Sequence, residues 1–380
     1  MRDSTLILFR TSCAFLMALA CLSVAWARER GPRVEVSCPA PPIPVVIDKK
    51  RVLVYEFHVT NFDSVPLTLK RVEIFGGDNS NAISVLTEDA LSAAMTAVGG
   101  QSKDARVIGP GQRSVVFLWI ELPANSEVPS SLRHRMVFSS TGTGDAKPAD
   151  SILENFPVAV SRDPVPVLSS PFGGGIWVAG DAPSNTSPHR RSIFAIDGHL
   201  YSPERFAIDW VKVGPNGDSR HEGSTRNENW WGFGERVLAV ADGEVSEVVD
   251  GIADNVPRNL PPVTLDNILG NHVILKIAPD RFVTYAHLQS GSIRVKTHDR
   301  VSRGSVLGLL GNSGNTTGAH LHMQMTDGNS ALQSQGVPFM LEGFTYLGPG
   351  SDYEADKHLS EHWGRSIPPD GAVIDLNPAK

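Results

Sequence analysis

Apolar positions in this chain alternate with polar ones over short runs, and nowhere do they sustain the three-to-four-residue spacing of a long amphipathic helix. From Arg33 to Val160 these runs are Val34 to Cys38, Val52 to Val59, Leu67 to Ile74, Ser114 to Leu122, Met136 to Ser139 and Phe156 to Val160, separated by turn residues. The stretches Val52 to Val59 and Val115 to Ile120 are dense in β-branched and aromatic side chains, which suit a pleated surface. This spacing predicts a β-sandwich of immunoglobulin type over residues 33–162. His58, Trp119 and His134 have no chemistry arranged around them in sequence and are read as structural.

Residues 163–175, Asp-Pro-Val-Pro-Val-Leu-Ser-Ser-Pro-Phe-Gly-Gly-Gly, carry proline and glycine at a density that resists helix and central strand alike, and mark a linker. Strands resume at Phe206 to Val211, Val237 to Val249, His272 to Ala278, Phe282 to Leu288 and Ala319 to Met325, which predicts a second, antiparallel β domain over 176–346. The polar, Pro- and Gly-containing end, 347–380, reads as an irregular extension. The expected fold is therefore mainly β, in two domains.

The N-terminus departs from this pattern. Arg2 and Arg10 flank the start of an apolar run, Cys13 to Val24, that closes on Ala25-Trp26-Ala27. The run is short of the ~20 residues a spanning helix needs, so residues 1–27 are expected to be a signal peptide, giving export to a periplasm and no stable membrane insertion afterwards. Cys13 and Cys21 leave with that segment, so Cys38 alone remains and no internal disulfide is expected. The formal net charge of -7, with no extended basic run, argues against nucleic acid as a partner.

The chemistry concentrates in Gly311-Asn312-Ser313-Gly314-Asn315-Thr316-Thr317-Gly318-Ala319-His320-Leu321-His322. The Gly/Asn/Thr turn delivers a strand on which His320, His322 and Gln324 share one face while Leu321, Met323 and Met325 share the other. Two imidazoles on one polar face offer a nitrogen to a metal and a second nitrogen to a substrate beside it. Upstream, apolar residues at 206, 208 and 210 put Asp209 on the face opposite the core, and Val283 to Leu288 is a strand ending in His287.

With Gly270-Asn271-His272-Val273 and Asp299-Arg300-Val301 between them, these features in this order resemble the M23 family of zinc peptidases, of lysostaphin or LytM type, over about residues 175–345. The resemblance implies a small antiparallel β fold holding one zinc in a groove. It further implies Asp209 and His322 as zinc ligands and His287 and His320 as the catalytic pair. At the family's remaining ligand position, four residues before Asp209, stands Arg205, whose guanidinium has no lone pair to give.

Either another histidine supplies the third ligand or the site is dead. The Ile196-Asp197-Gly198-His199 turn signal suggests a hairpin centred near His199, which makes His189 and Asp209 equidistant from the turn, with Cβ atoms about 5 Å apart. A one-residue slip would reverse the face His189 occupies, and His221, or no ligand at all, are the alternatives. His199, His221, His272 and His298 otherwise read as loop or surface histidines, and Glu228 to Gly234 as an aromatic wall of the groove or as core.

On this reading the chain is a zinc metalloendopeptidase acting on peptidoglycan peptides through zinc-activated water. The alternative is a catalytically degenerate M23-like domain that binds cell wall or activates another hydrolase, and a third is an adhesive or carbohydrate-binding role for the sandwich.

Overall fold

The structure, a computed structural model, describes residues 31–100, 103–140, 149–221, 225–350, 353 and 359–377. The segment 1–27 expected to be a signal peptide lies outside them. Among the described residues, no helix is long and apolar enough to cross a membrane.

The N-terminal half forms two five-stranded antiparallel sheets. One runs Val34–Ser37, Lys50–Asn61, Arg113–Leu122, Met95–Ala97, with Val45–Ile47 also paired to Lys50–Asn61. The other runs Ala149–Ala159, Ser131–Ser140, Leu67–Gly76, Ala82–Thr87, with Val107–Ile108 paired to Leu67–Gly76. Strand alternation explains how they join: Leu53, Tyr55, Phe57 and Val59 point from the first sheet into a core shared with Leu69, Val72, Ile74, Leu132, Met136 and Phe138 of the second.

The opposite face of Lys50–Asn61 is buried as well, because Val52 and Val54 pack into the core of the C-terminal half alongside Phe206, Ile208, Phe339 and Leu341. A strand covered on both faces loses the hydrophobic-polar alternation of a half-exposed one, which is why Val52 to Val59 reads as nearly continuous.

The C-terminal half is built on a ten-stranded sheet ordered Arg300–Val301, Gly243–Val249, Asn271–Ala278, Arg281–Leu288, Leu321–Thr326, Ile208–Lys212, Ile176–Gly180, Ala372–Asp375, Phe344–Pro349, Glu361–Trp363. Every pairing in it is antiparallel. Leu321, Met323 and Met325 enter the same core as Trp210, Val283 and Tyr285, leaving His322 and Gln324 on the other face.

Two expectations are corrected. Residues 347–380 are not wholly irregular, since Glu361–Trp363 and Ala372–Asp375 are strands of the large sheet and Val373 and Ile374 are buried in it. The linker 163–175 also contributes a two-residue strand, Val167–Leu168, parallel to Met340–Leu341.

Candidate metal centre

Asp209 and His322 are direct partners across adjacent antiparallel strands, and Ala286 flanks His322 from the other side. That register places the His322 Nδ1 3.0 Å from the Asp209 Oδ1, while the His320 Nε2 lies 3.4 Å from Oδ2. The His189 Nε2 lies 3.6 Å from Oδ1. The potential ligand atoms of His189, Asp209 and His322 are all within 4.8 Å of one another.

His189 reaches this place by a route other than the expected hairpin. The turn at Asp197-Gly198 closes only a short two-stranded sheet, Phe194–Ile196 with His199–Tyr201, and Asp209 pairs instead with Gly180 and His322. His189 sits on a four-residue helix, Pro188–Arg191, that begins after Ser187 with proline at its first position. His221 lies against Trp231, ring centres 4.0 Å apart and tilted by 46°, and is absent from the cavity wall.

Each histidine's partner sets which ring nitrogen is free. A carbonyl oxygen only accepts, so His189 donates from Nδ1 to the Asp181 carbonyl at 3.0 Å and keeps a lone pair on Nε2. Gln324 donates to the Ala331 carbonyl at 2.7 Å, which turns its Oε1 toward His322 Nε2 at 2.8 Å and leaves the lone pair of that ring on Nδ1. His320 gives its Nδ1 hydrogen to the Gly318 carbonyl at 2.9 Å, and His287 gives its own to the Ser313 carbonyl at 2.8 Å.

With every ring in its neutral form, His189, His320 and His322 would aim lone pairs at a carboxylate that also only accepts. Such a cluster is repulsive unless a cation sits within it, and two imidazole nitrogens with one carboxylate oxygen are a donor set that zinc takes with a fourth position open. In the metal-free protein a proton answers the same need. Burial disfavours charge on His322, yet its hydrogen bond to Asp209 and the carboxylate's charge raise it to about 9. Burial likewise opposes ionised Asp209, but the surrounding His320, His322 and His189 hold it well below the usual carboxylate range.

His287 occupies the left-handed region at φ 62°, an uncommon conformation for a side chain other than glycine. Its amide donates to the Leu269 carbonyl at 2.9 Å and its carbonyl accepts from Gly311 at 3.1 Å, so the backbone is held on both sides. The carbonyl of Ser313 can approach because Gly270, at φ 61°, has no Cβ: one there would stand 2.3 Å from that oxygen. Burial, reinforced by the nearby His320 and His322, lowers the His287 pKa well below the ordinary imidazole value and keeps the ring neutral.

These groups line a cavity of about 280 Å³ with Pro188, Phe194, Glu204, Ile268, Leu269 and Asn315 among its other walls. Glu204, which the sequence reading passed over beside Arg205, adds negative charge that favours protonated His322. Trp230 does not reach this wall; its ring packs under Gly318, where a Cβ would stand 2.2 Å from it, and so supports the turn before His320. His272 proves to be a buried strand residue bonded to the Gly270 carbonyl and Glu247.

Arg205 points away from the cavity. Its guanidinium donates to Glu56 of the sandwich, to the Gly336 carbonyl at 2.6 Å and to the Gln335 Oε1 at 2.9 Å. Its charge is thus committed elsewhere and does not compete with a cation at Asp209.

Residues 231–334, which hold His287, His320 and His322, match the model of peptidase family M23. Over 85 residues, 20% of this chain, the sequence is 32% identical to endolysin 2638A of Staphylococcus phage 2638A, and it spans 18% of that relative's length. Among solved structures, the catalytic domain of the prophage-encoded M23 protein EnpA from Enterococcus faecalis is similar at 22% identity, covering 46% of this chain and 93% of that one, with a TM-score of 0.26. The catalytic domain of the antimicrobial peptidase lysostaphin from Staphylococcus simulans is similar at 19% identity, covering 43% and 88%, with a TM-score of 0.23. The segment of this chain that matches peptidase family M23 thus lies within the C-terminal half and carries three of the histidines of the cavity.

Proposed function

We propose that this chain is an exported zinc metalloendopeptidase of M23 type that hydrolyses peptide bonds of peptidoglycan. The observation that carries the reading is the convergence of His189, Asp209 and His322 with their lone pairs turned inward. The apolar run and Ala-Trp-Ala of the N-terminus support export to a periplasm.

His189 through Nε2, His322 through Nδ1 and Asp209 through a carboxylate oxygen would hold the ion. When bound, zinc supplies Lewis acidity that polarises a carbonyl and acidifies water. His287, kept neutral by burial, has Nε2 available as a base beside that position, and His320, 4.8 Å from it between ring centres, has its own Nε2 on the same side. One of the two rings takes a proton from the attacking water on Nε2, and the imidazolium N–H so formed hydrogen-bonds the developing oxyanion and then passes that proton to the leaving amine, while the other ring accepts a hydrogen bond that orients the water. The apolar walls Phe194, Ile268 and Leu269 limit water around the reacting groups.

The non-catalytic alternative drew on Arg205. The engagement of its guanidinium by Glu56, with His189 beside Asp209 in its stead, supports the catalytic reading over that one.

Metal content of the purified protein, measured alongside His189→Ala, Asp209→Ala and His322→Ala, tests the proposal together with turnover of purified peptidoglycan. Each substitution is expected to weaken zinc binding by more than the roughly 10–100-fold that loss of an outer partner costs. A wild-type protein that binds no zinc, or binds it equally without Asp209, would sink the reading.

A further inference from the structure

The three donors are not held in the same way. Asp209 and His322 lie within neighbouring strands of the large sheet, whereas His189 lies on a four-residue helix that belongs to no sheet. Its nearest support from the C-terminal half is the Asp181 carbonyl, which also accepts from Ser187 Oγ at 2.7 Å.

The firmer attachments of this segment run to the sandwich. Arg190, immediately after His189 and fully buried, donates from Nη1 to the Glu56 Oε2 at 2.6 Å and from Nη2 to the Tyr55 carbonyl at 2.7 Å. Arg191 donates to the Met95 carbonyl at 3.2 Å, to the Thr96 hydroxyl at 3.0 Å and to the Ala93 carbonyl. Asn185 donates to the Phe117 carbonyl at 3.0 Å, and the guanidinium groups of Arg190 and Arg191 each lie 5.0 Å from the Phe117 ring centre.

Glu56 is shared. Its carboxylate also accepts from Arg205, whose Nε is 3.1 Å from Oε2 and which lies just before the strand bearing Asp209. One buried carboxylate therefore ties the segment carrying His189 to the segment carrying Asp209. Arg205 grips the Glu56 carboxylate with two N–H groups, and Arg190 divides its planar fork between that carboxylate and the Tyr55 carbonyl, so each guanidinium is fixed in direction as well as distance.

We infer that the N-terminal sandwich is a structural part of the metal site, with Glu56, acting through Arg190, as the positioning residue for His189. The inference rests on the zinc-peptidase reading above. It assigns the sandwich a task beyond carrying or targeting the peptidase: without it, a two-ligand half-site remains on the sheet.

The test is zinc affinity of the full chain, measured by chelator competition in wild type, Arg190→Met, Arg191→Ala and Met136→Ala, with far-ultraviolet dichroism and thermal unfolding of the metal-free proteins. Met136 lies in the sandwich's other sheet, paired with Leu153 and Val72, and shares only the apolar core with Tyr55 and Met95, so Met136→Ala loosens the sandwich core while the side chains that hold the His189 segment by hydrogen bonds are left in place. Arg190→Met and Arg191→Ala should each bind zinc about 10–100-fold more weakly while remaining folded, and Met136→Ala should bind as wild type does despite a lower unfolding temperature. Arg191→Ala carries the test should Arg190→Met fail to fold. Wild-type affinity in Arg191→Ala, or an equal loss in Met136→Ala, would overturn this inference while leaving the zinc peptidase standing. Absence of zinc from the wild type would take both down.

Discussion

The Nδ1 of His322 faces the Oδ1 of Asp209 at 3.0 Å because their two residues are register partners on adjacent strands, so backbone pairing alone brings a buried ring against a half-buried carboxylate. What the ring offers to that carboxylate depends on its other nitrogen.

That nitrogen is governed by Gln324, whose amide is itself oriented by the Ala331 carbonyl. Gln324→Leu removes the acceptor that keeps the hydrogen on Nε2, and zinc affinity should fall about 10-fold or more with the fold retained. Chelator competition measures it; unchanged affinity would mean that the tautomer of His322 is set by something else.

His320→Ala and His287→Asn are expected to keep zinc and to lose about 10²–10⁴-fold in turnover, the range for removal of a general acid or base. Asparagine is chosen at 287 because it tolerates the left-handed backbone there. Paired metal analysis and peptidoglycan digestion separate the two effects, and loss of zinc in either variant would move that histidine into the ligand set.

Restoring the histidine that the family resemblance expects at position 205 should not help. Arg205→His strips Glu56 and Gln335 of a buried donor and is expected to cost roughly 3–5 kcal/mol of stability, as breaking a buried ion pair does. Denaturant unfolding reads the cost. A gain in zinc affinity instead would show that residue 205 can swing to Asp209.

The sandwich should weaken on acidification through His134. Burial lowers its pKa to about 4: the Nδ1 hydrogen goes to the Phe156 carbonyl and Nε2 accepts from the Tyr55 hydroxyl, so a second ring proton would place a buried charge and reverse that bond. A depressed folded value means the contribution is whole above the unfolded value near 6.5 and is lost as pH falls from there toward 4. Unfolding of the chelated protein against pH should therefore slope more steeply over that window in wild type than in His134→Gln. Parallel curves would refute it.

Much of the site was legible because strand alternation is a strict period of two. It puts His320, His322 and Gln324 on one face and Asp209 opposite the core, and those faces are as expected. His189 was the expected residue for a different reason: the Asp197-Gly198 turn closes a hairpin too short to reach it, and the useful signal was Ser187-Pro188, a helix start. The purpose of Arg205 was invisible because its partner, Glu56, is 149 residues away. A lone acid among Val52, Val54 and Phe57 was nevertheless a hint of a charged contact on the outer face of that strand. Ala372–Asp375 escaped notice because four residues are too few to display a period.

The strand Lys50–Asn61, covered on both faces, also bears on how this chain can be recombined. Cutting at the proline-rich junction to graft the C-terminal half onto another domain would strip Val52 and Val54 from its hydrophobic interior and leave a greasy scar on the product. Chimeras should instead exchange the rim of the first domain, keeping this strand and the Arg113–Leu122 strand beside it as a permanent base plate.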